Sequence, residues 1–212
     1  SLNTFFGAAA GSASATVDNN TAIGAFAFDA GTGADNTAVG SGALGGGSNS
    51  GANNVAVGKD AGNAITTGTA NVATGYNSLA SNTTGDFNIA IGYNALDANT
   101  TADDNTAVGT SALGANTTGA SNIAIGKNTL VTNTTGAGNT AVGDKTLQAN
   151  TTASYNTAVG FEAGYNNTTG AYNTALGASA LVSNTTASNN TAVGYSALLD
   201  NTTGTRLVAV GP

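Results

Sequence analysis

The sequence contains no cysteine, methionine, tryptophan or histidine. Without histidine and cysteine, the usual nucleophilic triads and thiol sites are excluded. Disulfides are excluded as well, so a secreted form would need another stabilising device. Charge is scarce: 7% of the residues carry it, against about 25% in an ordinary soluble chain. That is too little to keep a disordered tail solvated. The four basic residues, Lys59, Lys127, Lys145 and Arg206, are scattered among 11 acidic ones, for a net charge of −7. Nucleic acid would want a clustered basic face, which this pattern does not supply. No apolar run approaches the length of a membrane span. Large apolar residues are sparse, so an ordinary globular core is not expected either. The one proline is Pro212. No initiator methionine and no signal-peptide pattern are visible, which reads as a mature or trimmed form.

What is present is a sentence repeated. Asparagine opens an N-x-A-x-G segment at Asn3 (where Phe5 replaces the Ala), Asn20, Asn36, Asn54, Asn71, Asn88, Asn105, Asn122, Asn139, Asn156, Asn173 and Asn190, and a partial copy, "LVAVG", begins at Leu207. Most steps are 17 residues; the second is 16 and the third 18. The consensus is N-T-A-V-G-x-x-A-L-x-x-N-T-T-G-x-x, numbered here as positions 1 to 17. We read residues 1–212 as one array: less regular coils over 1–53, regular 17-residue coils over 54–206, and a partial coil over 207–212. A period this short excludes the helical repeats, which need 30 or more residues.

Positions 2 and 4 favour Thr, Val and Ile, which suit strands. A strand alternates its faces, so position 3 points away from them. Position 5 is Gly in every copy, and is expected to end the strand and turn the chain. A second short strand is expected at positions 8 and 9, usually "AL" as in Ala43-Leu44, Ala95-Leu96, Ala112-Leu113, Ala180-Leu181 and Ala197-Leu198. The N-T-T-G that follows is turn chemistry. The fold class that results is all-β: a parallel β-solenoid, or β-roll, of about 12 coils. Its coils would rise about 4.8 Å each, giving a rod roughly 55–60 Å long. The position-1 asparagines Asn20, Asn36, Asn54, Asn71, Asn88, Asn105, Asn122, Asn139, Asn156, Asn173 and Asn190 are expected to stack as a structural ladder.

A single coil offers little apolar area against the entropy of ordering its residues, so covering a second face would help. The small residue at position 3 points to close approach by another backbone. Ala38, Ala56, Ala73, Ala90, Ala107, Ala124, Ala141, Ala158, Ala175 and Ala192 are therefore expected to pack between chains, most simply three around an axis.

The segments "NTAVG", "NIAIG" and "NVAVG" resemble the head-domain repeats of trimeric autotransporter adhesins. Similar Asn-Thr-rich arrays resemble the fibre regions of secreted bacterial tail-fibre-like proteins. The resemblance runs from Asn3 to Gly211. It implies a left-handed parallel β-roll, homotrimeric and displayed outside the cell. This repeat departs from the adhesin one, which is commonly near 14 residues, by its added "NTT" segment.

No catalytic constellation, metal site or cofactor site is expected. The adjacent pair Asp103-Asp104 could bind a cation weakly, but a solvated turn is the preferred reading. A calcium repeat would place Asp at one fixed phase, and this one does not. Gly-rich strings such as "GAGNTAVG" lack the Lys-Ser/Thr of a phosphate loop. The NTT asparagines Asn82, Asn99, Asn116, Asn133, Asn150, Asn167, Asn184 and Asn201 are each an N-x-T glycosylation sequon. On an exposed edge they would carry sugars; otherwise they form a turn ladder, which is the reading preferred. Threonine rows raise ice binding, against which stands the opposite facing of positions 13 and 14. The aromatics Tyr76, Phe87, Tyr93, Tyr155, Phe161, Tyr165, Tyr172 and Tyr195 fall in variable slots, where they suit sugar or protein binding or seams between chains. The sequence thus points to an extracellular or cell-surface fibre or adhesin-like rod that is no enzyme and whose partner is itself, as a trimer or an end-to-end filament. Host surface glycans or proteins would be further partners. The alternative is a solenoid that binds ice or glycan through its Thr or aromatic rows.

Overall fold

The computed structural model describes residues 2–13 and 17–211. The chain is all-β, with no helix among the described residues: a parallel β-solenoid of about 12 coils with a 17-residue repeat. It divides into two compact units, Ser1–Asn105 and Thr106–Pro212. In the first unit, β1 (Thr4–Phe6), β2 (Thr21–Ile23), β3 (Thr37–Val39), β4 (Val55–Val57), β5 (Val72–Thr74) and β6 (Ile89–Ile91) pair in chain order, all parallel. In the second, β7 (Thr106–Val108), β8 (Ile123–Ile125), β9 (Thr140–Val142), β10 (Thr157–Val159), β11 (Thr174–Leu176), β12 (Thr191–Val193) and β13 (Val208–Val210) do the same.

Register is strict. Position 3 meets position 3 of the next coil at Ala56↔Ala73 and Ala124↔Ala141. It holds through the two irregular coils as well, since Thr21 pairs with Thr37 and Thr37 with Val55. A one-residue slip would exchange the faces of the strand, so the short 16-residue coil and the long 18-residue coil absorb their differences in the turns.

Among the described residues each coil has one strand of three residues, and the expected second strand is absent. Positions 8 and 9 lie instead in consecutive tight turns. In the coil from Asn105, Ala112 N–H donates to the Gly109 carbonyl (3.3 Å), Gly114 N–H to Ser111 (3.2 Å) and Asn116 N–H to Leu113 (3.0 Å). Ser111 (φ 55°) and Leu113 (φ 52°) are left-handed, as the third residue of a type II turn must be. A non-glycine residue resists this region by about 1–2 kcal/mol. Two gains offset that cost. The Leu113 side chain is wholly buried, which favours folding by about 1.5–3 kcal/mol. Its N–H also donates across to the Thr129 carbonyl of the next coil at 3.0 Å. The turns are therefore stitched from coil to coil as the strands are. The interior is narrow: alanines at positions 3 and 8 and one leucine at position 9 fill most of it.

Position 5 is the bend after the strand. Gly109 has φ 136°, and a Cβ built on it would lie 2.5 Å from the Gly126 carbonyl oxygen. Both the backbone conformation and the stacking distance demand glycine there.

Candidate functional surface

The alanines expected between chains face inward. Ala38, Ala56, Ala90, Ala107, Ala124, Ala141 and Ala192 are 0% exposed in the isolated chain, and Ala73, Ala158 and Ala175 at most 2%. They cannot touch a second molecule. Their smallness reflects the narrow interior, where a larger side chain would meet the leucine layer.

The outward face of the strand is the one with the β-branched residues. Val55, Val57, Ile89 and Ile91 in the first unit are 37–40% exposed, as are Ile123, Ile125 and Val159 at 40% in the second. Columns 2 and 4 together hold only Thr, Val, Ile, Leu and Phe, with no charged or amide side chain in any of the 13 copies. The result in each unit is a charge-free ribbon, one rung per coil. Positions 17 and 6 flank it on the same alternation. In one rung Phe87, Ile89, Ile91 and Tyr93 are all exposed, and in another Tyr155, Val159 and Phe161.

The aromatics at these flanks stack between coils. Tyr76 and Tyr93 lie 5.4 Å apart at 14°, and Tyr155 and Tyr172 5.3 Å apart at 14°. Each such ring turns one face to its neighbour rather than to solvent. Lys59 Nζ sits over the Tyr76 ring at 5.4 Å, and Lys145 Nζ over Phe161 at 6.0 Å. Lys59 also pairs with Asp60 at 3.1 Å, and the hydrogen bond and charge of that carboxylate raise the lysine pKa. Lys145 meets Glu162 of the next coil at 3.5 Å. Tyr195 is 69% exposed, and Tyr165 is half-buried.

Two asparagine ladders run inside the coils. At position 1, the side-chain oxygen of one coil accepts the main-chain N–H of the next: Asn54 from Asn71 (3.0 Å), Asn71 from Asn88 (2.9 Å), Asn88 from Asn105 (3.0 Å), and Asn122 from Asn139 (3.0 Å). The amide nitrogen donates to a main-chain carbonyl from Asn54 to Gly68 and from Asn139 to Ala153, each 2.9 Å, while those of Asn20 and Asn190 are buried without a partner. Asn20, Asn36, Asn156, Asn173 and Asn190 are buried likewise. Each asparagine thus supplies hydrogen bonds that a strand of three residues cannot.

The sequon asparagines form the second ladder. Asn82, Asn99, Asn116, Asn133, Asn150, Asn167 and Asn184 are at most 2% exposed, and Asn201 is half-buried. Asn133 Nδ2 donates to Asn116 Oδ1 (2.9 Å) and to the Gly136 carbonyl (2.9 Å), and Asn150 Nδ2 to Asn133 Oδ1 (2.8 Å). At Asn133, Asn150, Asn167 and Asn184 both amide hydrogens are engaged inside the coil, so in the folded chain these buried nitrogens are not free to carry a sugar. Of the two readings of the sequons, the preferred turn ladder is the one this geometry describes, and sugars on an exposed edge are not.

Among the described residues no three His, Cys, Asp or Glu side chains gather in a way that could hold a metal ion. No pocket opens in the surface they form. No helix is long and apolar enough to cross a membrane. The chain matches no protein-family model, no curated protein and no solved structure.

Proposed function

We propose that the protein is a non-enzymatic, self-associating structural element of the cell surface or extracellular space, a fibre or adhesin-like array. Chains pack side by side, most simply as trimers, and stack end to end as filaments. The observation that carries this reading is the charge-free ribbon at positions 2 and 4. In the second unit alone, seven rungs about 4.8 Å apart bare an uncharged strip in which Val, Ile and Leu outnumber five threonines, Thr106, Thr140, Thr157, Thr174 and Thr191, an uncovered surface of the kind that marks a protein contact. An identical solenoid matches such a strip rung for rung, because both repeat at the same pitch. The extracellular assignment rests on the resemblance to adhesin head repeats and on the scarcity of charge. Light scattering tests the reading: the wild-type chain is expected at a multiple of 20.2 kDa. The double variant I123E/I125E is expected at the mass of one chain with its β signal kept. A wild-type monomer of full β content would overturn it.

A further inference from the structure

The threonine at position 14 makes no side-chain hydrogen bond in the second unit, yet it recurs in each of that unit's full coils. In the second unit it is Thr118, Thr135, Thr152, Thr169, Thr186 and Thr203, all exposed. No hydrogen bond ties any of their hydroxyls, whereas the hydroxyl of the preceding threonine is used: Thr134 Oγ1 donates to the Thr151 carbonyl at 3.0 Å. The next exposed column, position 17, has diverged freely over the same coils, from Ser121 and Gly138 through Tyr155 to Arg206. Recent duplication therefore does not explain the sameness at position 14. Nor does the backbone, since an exposed bend accepts Ser, Asn, Asp or Lys as readily.

The column is rigid. Thr135 N–H donates to the Thr151 carbonyl (3.3 Å) and Thr169 N–H to Thr185 (3.2 Å), which locks each rung to the next. The Asn133–Asn150 amide bond, 2.8 Å, runs directly behind it. Position 15 points inward, and position 16 lies outward again, from Ala120 through Ser154 to Thr205, with no charge and nothing larger than threonine in this unit. Positions 14 and 16, not 13 and 14, share a face.

We propose that this face binds ice, its threonine methyls and hydroxyls holding water at the coil pitch. A face without a pocket does not enclose a small molecule. An uncharged one does not select an ionic polymer, and columns 14 and 16 carry no aromatic ring on which a sugar would stack. What remains is an extended, uncharged, periodic surface that both donates and accepts hydrogen bonds, which is ordered water. A scaffold already fixed loses little entropy on binding it. The assignment does not rest on self-association, which uses positions 2 and 4.

Ice growth observed in the presence of purified full-length chain tests it. Wild-type protein is expected to facet ice crystals and to suppress their recrystallisation. T152K/T169K is expected to lose both effects while keeping its circular dichroism. I123E/I125E is expected to keep both effects, which separates this face from the association ribbon. If the lysines unfold the array, T152V/T169V keeps the side-chain shape and removes the hydroxyls; reduced faceting supports the proposal and unchanged faceting overturns it. Unshaped ice with wild-type protein overturns it too. So does an intact mass above 20.2 kDa for the single denatured chain, which would make these hydroxyls acceptors of a covalent modification.

Discussion

A buried asparagine is worth what its neighbours make of it. Asn133 sits between Asn116 and Asn150 with its nitrogen and oxygen both used. Replacing it with Ala strands buried groups on both sides, at a cost of about 3 kcal/mol or more. Asn49 is equally buried, but neither its Nδ2 nor its Oδ1 has a partner. It lies in the long coil, where the corresponding turn of the following coil has Ile65 in place of an asparagine. Asn49→Val is therefore expected to be neutral or stabilising by about 1 kcal/mol. Urea titration of the two variants checks the contrast, and equal destabilisation would contradict the ladder. Glycines divide in the same way. Gly126→Ala meets both φ 134° and the next coil's backbone, and should cost several kcal/mol, on the order of 3 or more. Gly136→Ala should cost less, about 1–3 kcal/mol: its Cβ would also crowd the next coil's backbone, at the Ala153 carbonyl, but no left-handed φ opposes it, and the array holds buried Ala102, Ala153 and Ala187 in the same slot. Thermal melts of the pair give the order.

At the scale of the element, the repeat and the strand were legible in the sequence while the facing of the strand was not. N-x-A-x-G marked residues 2 to 4 as extended and position 5 as a bend, because β-branched residues and glycine carry strong local preferences. Which side faced inward could not be read from Thr-Ala-Val, since all of these residues tolerate either side. Only the narrow bore of the coil decides for alanine. Leu113 and Leu130 gave no sign of their left-handed turns, because leucine has no local preference for them and adopts them only under the pull of neighbouring coils. The turn ladder of the sequon asparagines was legible from their repetition, but its burial was not: Asn-Thr-Thr is ordinarily surface turn chemistry, and its burial depends on a stack that one coil does not reveal. One carboxylate reports on packing at this scale. Partial burial raises the pKa of Asp97, so the folded chain holds that proton more tightly than the unfolded one. Its penalty is present above the raised pKa and is relieved as pH falls below the usual carboxylate range. Asp97→Asn should stabilise slightly at neutral pH, and the gain should vanish in acid. A gain that persists in acid would place the effect elsewhere.

For the molecule as a whole, stability is spread over coil-to-coil contacts, as in other one-dimensional arrays. Deleting Asn139–Tyr155, one whole 17-residue coil, removes one rung and lets its neighbours meet in register. The shortened chain is expected to keep its β signal per residue, with a modest fall in melting temperature. Deleting half a coil throws the strands against turns and should abolish cooperative melting. The central claim is that the turns are stitched between coils as firmly as the strands. Residue-resolved amide hydrogen exchange tests it most directly. Leu130 N–H donates to the Thr146 carbonyl (3.1 Å), Asn128 N–H to Thr110 (2.9 Å) and Thr134 N–H to Thr151 (2.8 Å), alongside the strand N–H of Ile123 to Asn139 (2.8 Å). The account predicts that all four are protected to a similar degree. Turn amides exchanging as freely as an unfolded chain, with the strand triplet alone protected, would contradict it.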